Sequence, residues 1–229
     1  MIDIHNHILP QVDDGARDLE ESLAMAKMAE EDGIRHIIAT PHLLDPGICR
    51  EVIADKTAAL NQALRAGGLS VRVHPGAEIP VHLLDTPRWR IGLAASRFLL
   101  VEFPPDMIPP GAAELFRRLI RQGHKIIIAH PERNLAAMRK PERMLGLLEP
   151  GVSFQITAGS LTGDMGKTAQ SLARYLLSLQ QVGYIASDAH NAQARPPVLS
   201  KALAAAARWL KQPADMLATE NPRQILEAA

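Results

Sequence analysis

Cysteine and aromatic residues are scarce in this sequence. Cys49 is the single cysteine among 229 residues, and Phe, Trp and Tyr together make up 3%. One cysteine cannot form an internal disulfide, which is typical of proteins from a reducing compartment, and few aromatics leave little surface for stacking nucleic-acid bases. We therefore expect a cytoplasmic protein that does not bind nucleic acid.

The chain also lacks a net charge and a long hydrophobic run. Its 25 basic residues balance 25 acidic residues, so no overall field attracts nucleic acid or an anionic membrane. Apolar runs such as residues 126–129 are far shorter than the roughly 20 residues that cross a bilayer. We expect no membrane insertion, and recognition must depend on local groups of residues.

Several catalytic motifs are absent. A cysteine phosphatase needs an arginine six residues after its nucleophile, but Asp55 occupies that position after Cys49. The serine elbow G-x-S-x-G, the phosphate loop G-x-x-x-x-G-K-[ST] and a strand-linked G-x-G-x-x-G are also missing. These absences disfavour covalent serine or cysteine catalysis and nucleotide-dependent chemistry.

Short β-branched segments alternate with longer amphipathic segments, which is typical of βα units around a mostly parallel sheet or barrel. No linker or repeat divides the chain, so we expect one α/β domain over residues 1–229. The pattern predicts seven strands, at residues 2–5, 36–39, 71–74, 98–101, 125–129, 152–156 and 184–186. It predicts a helix between Asp18 and Gly33, with Glu21 completing a capping-box-like start, and helices at 51–66, 112–122, 141–148, 167–181 and 198–211.

His, Asp or Glu follows six of these seven strands, whose exits read DIHNH, IIATPH, HPGAEI, LLVEF, IIIAHPERN and IASDAH. Because the carboxyl ends of parallel strands lie on one face of such folds, we expect these side chains to meet there. The expected cluster contains His5, His7, Asp14, His42, Glu78, Glu102, His130, Asp188 and His190.

Imidazoles and carboxylates without cysteine favour divalent ions such as Mn²⁺, Fe²⁺, Zn²⁺ or Mg²⁺. Nine side chains are too many for one ion, whereas about three ions with three or four protein ligands each would leave room for water or substrate. Strand alternation places His5 and His7 on one face, and likewise Asp188 and His190. The sequence therefore predicts a multinuclear hydrolytic centre.

Some of these acids have simpler explanations. Asp13 and Asp14 precede a glycine, and both could be turn residues. We interpret Asp13 as one, and Asp14 is retained as a ligand only because of the resemblance described below. Glu102 could form a salt bridge with an arginine instead of binding metal.

The other histidines are not expected to bind metal. His36 and His124 stand at the starts of their strands, at the opposite end from the cluster. His74 and His82 flank Glu78, and an outer role in supporting the ligands stays open for both.

Two arginines follow ligand positions by a few residues, Arg133 in "HPERN" and Arg195 in "NAQARPP". A guanidinium group can hold phosphate oxygens with two parallel hydrogen bonds. An ordinary surface arginine is the alternative for each, but their presence in two separate ligand loops favours a phosphate substrate.

In its longer motifs the sequence resembles the PHP superfamily, and within it the bacterial protein tyrosine phosphatases of capsule and exopolysaccharide gene clusters. The stretches "MIDIHNHILPQVDDGA", "SLAMAKMAEEDGIRHIIATPH", "PGAEI", "LLVEF", "IIIAHPERN" and "IASDAHNAQARPP" follow the order of that subfamily nearly end to end. The resemblance implies a distorted (β/α)₇ TIM-like barrel with three divalent ions at its mouth. Mn²⁺ is expected, with Fe, Zn, Mg or Co as alternatives.

The resemblance also implies roles for single residues. The ligands of the first ion would be His5, His7, Asp188 and a bridging Glu78. The second ion would be completed by Glu102 and His130, and the third would be bound by Asp14, His42 and His190. The arginines that contact phosphate would be Arg133 and Arg195, and a metal-bound water or His42 could serve as a general acid.

The implied reaction is hydrolysis of phosphotyrosine in proteins by a metal-activated water, without a covalent intermediate. The implied partner is a bacterial tyrosine autokinase, and the pair would regulate polysaccharide synthesis. A small phosphomonoester such as histidinol phosphate is the alternative substrate, because it would use the same centre. Balanced charge disfavours a nuclease, and nine filled ligand positions disfavour a non-catalytic scaffold.

Overall fold

The computed structural model describes residues 1–43, 45, 47–210 and 213–229. Its strands are β1 (Ile2–Asn6), β2 (His36–Ala39), β3 (Arg72–Pro75), β4 (Glu78–Pro80), β5 (Phe98–Glu102), β6 (Lys125–Ala129), β7 (Val152–Thr157) and β8 (Val182–Ala186). All seven predicted strands are present, with ends shifted by at most two residues. The additional strand is β4.

Every strand pair is parallel, and the strands form two sheets in the orders β1-β2-β3 and β4-β5-β6-β7-β8. Isolated parallel bridges join Asn6 to Ala189 and His42 to Glu78. Three of these four residues lie at or just after the ends of β1, β2 and β8. The two sheets therefore join into a distorted barrel at the face where the predicted ligands lie.

The additional strand arises because the third barrel strand is interrupted. β3 pairs with β2, whereas β4 pairs with β5, and the chain changes partner at Gly76 and Ala77. A Cβ atom at Gly76 would stand 2.9 Å from Cγ2 of Ile38 and 3.1 Å from the carbonyl oxygen of Ala39. Glycine allows this close approach, and the change of partner carries Glu78 onto the second sheet.

The helices are α1 (Leu19–Glu31), α2 (Arg50–Ala66), α3 (Ala112–Arg121), α4 (Leu135–Arg139), α5 (Pro141–Leu145), α6 (Ala158–Thr162), α7 (Lys167–Ser178), α8 (Ser200–Leu210) and α9 (Glu220–Glu227). The predicted helices are present, although α5 and α7 end three residues early. Lys211, the predicted end of α8, lies outside the described residues. The short helices α4 and α6 and the terminal α9 were not predicted.

Helix α1 begins with the predicted side-chain cap. Oδ1 of Asp18 accepts a hydrogen bond of 2.8 Å from the amide of Glu21, which satisfies one of the free N–H groups of the first turn. In a capping box Glu21 would return to the amide of the cap residue, but its Oε2 accepts from the amide of Arg17 at 3.0 Å instead.

Two apolar clusters occupy opposite faces of the strands. Neighbouring residues divide between them, so that Ile37 and Leu99 pack in the larger cluster while Ile38 and Leu100 pack in the smaller one inside the barrel. The strands are thus fixed on both faces, and their carboxyl ends form a rigid platform for the site.

Within the described residues, none of the helices combines the length and apolar character needed to cross a membrane.

Candidate metal centre

The nine predicted ligand side chains come together at the carboxyl ends of the strands. Three of them lie within strands, namely His5 in β1, Glu78 in β4 and Glu102 in β5. The others follow a strand: His7 and Asp14 follow β1, His42 follows β2, His130 follows β6, and Asp188 and His190 follow β8. Contacts of 4.0 Å or less link them all into one network.

The centre of the network is fully buried. Nε2 of His5 lies 3.2 Å from Nε2 of His7, 3.1 Å from Oε2 of Glu78 and 3.4 Å from Oδ1 of Asp188. His7 reaches the same two carboxylate oxygens at 3.5 Å each. Four potential ligand atoms from β1, β4 and the end of β8 therefore face a common point.

Glu78 also connects this centre to two further histidines. Its Oε2 lies 3.1 Å from Nδ1 of His42, and its Oε1 lies 2.8 Å from Nε2 of His130. Glu102 stands on the same side, 3.7 Å from His42 and 4.0 Å from His130. Among the described residues Glu102 has no arginine partner, so the salt bridge considered from the sequence is not formed.

The solvent side of the cluster is formed by Asp14 and two histidines. Oδ1 of Asp14 lies 3.5 Å from Nε2 of His190 and 3.8 Å from Nε2 of His42. The Asp14 side chain is 62% exposed, whereas those of His190 and His42 are 5% and 16% exposed. The cluster is therefore open to solvent at this side.

The side chains can be divided into groups whose ligand atoms all lie within 4.8 Å of one another. These groups are His7 with Asp14, His42 and His190; His5 with His130 and Asp188; His5 with His7 and Glu78; and His42 with Glu78 and Glu102. The groups share members, so several ions could bind side by side. They differ from the division implied by the resemblance, because His7 also faces the group around Asp14.

Two atoms at the centre fit a cation directly. Oε2 of Glu78 and Nδ1 of His42 are buried, and neither has a hydrogen-bond partner of good geometry among the described residues. Buried polar atoms of this kind are costly unless a ligand or ion satisfies them. Oxygen and imidazole donors without thiolates suit borderline to hard divalent ions, so the residues present fit the expected metals.

The backbone at two of the predicted ligands adopts an uncommon conformation. His130 has φ of 32° and Asp188 has φ of 54°, both in the left-handed region that residues with a Cβ rarely adopt. Such conformations persist where surrounding structure holds them, and they concentrate at functional sites. Here each one turns a side chain from the end of β6 or β8 into the cluster.

Charge dominates the protonation of the buried centre. Burial acts to lower the pKa of His5, but the charges of Glu78 and Asp188 outweigh it, and the pKa is raised overall. Burial acts in the same sense on His7, whose pKa is raised well above its ordinary value by hydrogen bonds to Asp13, Asp188 and Glu78. The pKa of Glu78 shifts in the opposite direction, because interactions with His5 and His130 overcome burial and hold it well below the ordinary value.

Nearer the solvent side of the cluster, burial determines the direction of the pKa shift. Burial and the charge of Glu78 raise the pKa of Glu102, and burial with the charges of His7 and Arg195 lowers the pKa of His190 to about 4. An imidazole that stays neutral keeps a lone pair available for a metal ion.

Both predicted arginines reach the cluster through Asp188. Nη1 of Arg133 and Nη2 of Arg195 each donate to Oδ2 of Asp188, the latter at 2.6 Å. Their side chains are 33% and 27% exposed, so each guanidinium borders both the buried carboxylate and the open side. This position allows both groups to contact an anion above the cluster.

Two supporting residues were not recognised from the sequence. Oε1 of Gln155 on β7 accepts from Nδ1 of His5 at 2.9 Å, and Oδ2 of Asp13 accepts from Nδ1 of His7 at 2.6 Å. A fully buried glutamine inside an apolar strand could have indicated the first contact, because buried amides need partners. Asp13 forms the predicted turn contact to the amide of Gly15, but it also contacts the predicted ligand His7.

The remaining histidines lie apart from the cluster. His36 and His74 pair with each other at 3.0 Å between Nδ1 and Nε2, and His82 is exposed. His124 stands just before β6, at the opposite end of the strand from His130. None of these four belongs to a group of potential ligands among the described residues, and the hydrogen bond of His74 goes to His36 rather than to a predicted ligand.

Known proteins resemble this chain over nearly its whole length. Residues 1–227 match the family model described as "Capsular polysaccharide synthesis, CpsB/CapC". The tyrosine-protein phosphatase YwqE of Bacillus subtilis (strain 168) is 38% identical over 232 residues, covering 99% of this chain and 91% of the relative. The putative tyrosine-protein phosphatase CapC of Staphylococcus aureus is 34% identical over 207 residues, covering 88% and 81%.

Solved structures agree with this relationship. One from a study of YwqE from Bacillus subtilis and CpsB from Streptococcus pneumoniae, described as metal-dependent tyrosine phosphatases, has a TM-score of 0.93 at 36% identity and covers 100% of this chain and 95% of that one. A β-aspartyl dipeptidase from Fervidobacterium islandicum AW-1 has a TM-score of 0.58 at 13% identity, covering 98% and 72%, and indicates the fold alone. The predicted barrel-type α/β fold and the predicted family resemblance are confirmed.

Proposed function

Because the chain belongs to the CpsB/CapC family of capsular polysaccharide synthesis, we propose that it is a metal-dependent phosphatase that removes phosphate from tyrosine residues of proteins. The observation that carries this proposal is the convergence of nine imidazole and carboxylate side chains with two arginines at one end of the barrel. Relatives named tyrosine-protein phosphatases support the choice of substrate.

The proposal includes three divalent ions, with Mn²⁺ expected. Nine ligands supply three or four donors per ion with Glu78 shared, and the overlapping groups of potential ligand atoms are compatible with this number. Bound ions would polarise the phosphate oxygens and lower the pKa of a water so that it can attack phosphorus. The proposed ligands are His5, His7, Asp14, His42, Glu78, Glu102, His130, Asp188 and His190.

The protein's own groups bind and orient the phosphate. Arg133 and Arg195 approach from two loops and share Oδ2 of Asp188, so their remaining N–H groups can hold phosphate oxygens as negative charge develops. His42 is a candidate proton donor for the leaving phenolate, because its side chain is 16% exposed and stands near the open side beside Asp14.

The openness of the site suits a substrate carried on another protein. Asp14 and both arginines are accessible from solvent, so a tyrosine on an extended segment could bring its phosphate to the cluster. A phosphorylated bacterial tyrosine autokinase is the proposed partner, with the reaction in the cytoplasm and polysaccharide synthesis as the regulated process. We propose that residues 1–229 act as one domain, since the family match covers residues 1–227.

A direct comparison of substrates tests this proposal. Metal-reconstituted protein is assayed under identical conditions on a phosphotyrosyl peptide, the corresponding phosphoseryl peptide and histidinol phosphate. The proposal expects the highest kcat/KM for the phosphotyrosyl peptide. Preference for histidinol phosphate would replace the protein substrate by a small phosphomonoester while keeping the same centre.

A further inference from the structure

Asp13 is bound more tightly to the site than a turn residue requires. Its side chain is fully buried, although the following residue Asp14 is largely exposed. Oδ1 accepts from the amide of Gly15 at 3.0 Å, which is the ordinary contact of an Asx turn. Oδ2 makes two additional contacts, and both lead to predicted metal ligands.

The first additional contact determines which nitrogen of His7 faces the cluster. Nδ1 of His7 donates to Oδ2 of Asp13 at 2.6 Å, so the proton of the ring lies on the side away from the proposed ions. Nε2 then points at the carboxylates of Glu78 and Asp188, at 3.5 Å from each. Metal-binding histidines commonly have such a carboxylate on their second nitrogen, because it fixes ring orientation and increases basicity.

The second additional contact reaches another loop. The backbone amide of His42 donates to the same Oδ2 at 2.8 Å. His7 follows β1 and His42 follows β2, so one oxygen atom joins two ligand-bearing segments. Movement of Asp13 would change both segments together.

The turn that carries Asp13 packs directly against His7. The amide of Ala16 donates to the carbonyl oxygen of His7 at 3.0 Å, and a Cβ at Gly15 would stand 2.1 Å from that oxygen. Only glycine fits at this distance, which lets the turn pack against the backbone of His7. The carboxylate of Asp13 is therefore held at a fixed place beside the imidazole.

We propose that Asp13 is a positioning residue that fixes the His7 ring and the His42 segment and thereby determines the affinity of the ions that His7 helps to bind. The proposal rests on the metal-binding part of the proposed function. It does not depend on which phosphomonoester is hydrolysed. A turn residue alone would contribute to folding but not selectively to metal affinity.

Titration of metal-free protein with Mn²⁺ in a calorimeter tests this role. Asp13→Asn keeps the size of the side chain but loses its charge and leaves an NH₂ group opposite at least one of the three donors. Asp13→Ala removes all three acceptor contacts. Asp18→Ala is the matched control, because Asp18 caps the amide of Glu21 nearby and has no contact with a predicted ligand among the described residues.

We expect Asp13→Asn and Asp13→Ala to weaken the binding of at least one Mn²⁺ by about 10- to 100-fold, the usual effect of removing such a support. Metal-free Asp13→Asn should remain folded at the temperature of the titration, and Asp18→Ala should bind Mn²⁺ normally. Unchanged Mn²⁺ affinity in both Asp13 variants would overturn the proposal. An equal loss in Asp18→Ala would also overturn it, because the effect would then reflect general weakening of the loop.

Binding is measured without any phosphatase substrate, so this test and the substrate comparison can fail separately. Inactivity on phosphotyrosine with a clear Mn²⁺ defect in Asp13→Asn would leave the positioning role intact. Tyrosine phosphatase activity with unchanged Mn²⁺ binding in both Asp13 variants would reject the positioning role alone.

Discussion

His42 and Glu78 contact each other through both backbone and side chain. A parallel β-bridge joins their backbones, and Nδ1 of His42 lies 3.1 Å from Oε2 of Glu78. The bridge connects the segment after β2 with the start of β4, where the two sheets meet. The join between the sheets therefore places a carboxylate within reach of histidines from several strands.

Glu78 should be the carboxylate whose loss affects the metal content most. Its two oxygens lie within 3.5 Å of His5, His7, His42 and His130. Glu78→Gln keeps the shape but removes the charge, so we expect at least one Mn²⁺ per chain to be lost and kcat to fall about 10²-fold or more. Elemental analysis of desalted protein and a phosphatase assay measure the two effects.

Glu114→Gln is the control for this change, since Glu114 is 65% exposed and contacts only surface arginines among the described residues. It should keep both metal content and rate. Full metal occupancy in Glu78→Gln would remove Glu78 from the proposed bridging position.

Arg133 and Arg195 should contribute mainly to the rate. If they hold phosphate oxygens as charge develops, alanine at either position should lower kcat by about 10²- to 10³-fold while the protein remains folded. Lysine should restore only part of the rate, because a single ammonium group cannot donate two parallel hydrogen bonds. Steady-state kinetics with a phosphotyrosyl peptide measure the effect.

Arg117→Ala provides the comparison for the arginine variants. Arg117 is 49% exposed and pairs with Glu114, away from the cluster. The kcat of Arg117→Ala should equal that of the parent protein. Similar rates in Arg133→Ala and Arg117→Ala would return Arg133 to the class of surface arginines.

Removal of metal should abolish activity and lower stability together. Ligands that bind only the folded state stabilise it by about 2.7 kcal/mol at a free concentration of one hundred times Kd, which for a chain of this length corresponds to roughly 5–10 °C in melting temperature. We expect EDTA to remove turnover and to lower the melting temperature by about this amount, and Mn²⁺ to restore both. Full turnover after exhaustive chelation would contradict the proposed chemistry.

The pair of His36 and His74 should make stability depend on pH independently of the metal centre. Burial, with the charges of His36 and Arg72, lowers the pKa of His74 to about 4, whereas the unfolded chain takes up the proton near 6.5. The unfolded state therefore binds more protons between these values, and stability should decrease as pH falls from about 6.5 towards 4. Urea unfolding of metal-free protein at several pH values measures this decrease.

His74→Gln should reduce that pH dependence, because the titrating group is removed while a polar side chain remains next to His36. The comparison is made as the difference between parent and variant at each pH, which cancels contributions from the cluster. An identical slope in both proteins would show that His74 does not carry the effect.

Local pattern was sufficient to predict most of the fold. The seven strands appear close to their expected positions because β-branched alternation and flanking turns are local signals, and the cap at Asp18 depends on residues three apart. The prediction missed β4 because three residues without alternation carry no strand signal. Their strand conformation comes from pairing with β5, whose paired residues stand 22 positions later in the chain.

The chemistry of the site was also readable in part. Ligand types stood out at the strand ends because parallel topology requires these ends to meet, whatever the exact geometry. The role of Asp13 was not readable, since its contact with His7 depends on how the loop after β1 folds back, and its contact with His42 exists only when the loops after β1 and β2 lie side by side. The support of His5 by Gln155 likewise joins residues 150 positions apart.

The sequence by itself determined the class of fold and most candidate ligands, because these follow from local periodicity and residue type, and the family resemblance added Asp14. Only the tertiary structure decided which ligands share a point in space, which nitrogen of His7 faces the cluster, and that both arginines meet at Asp188. These relationships depend on distances between strands that are remote in the chain, and such distances arise only when the barrel closes and its core packs.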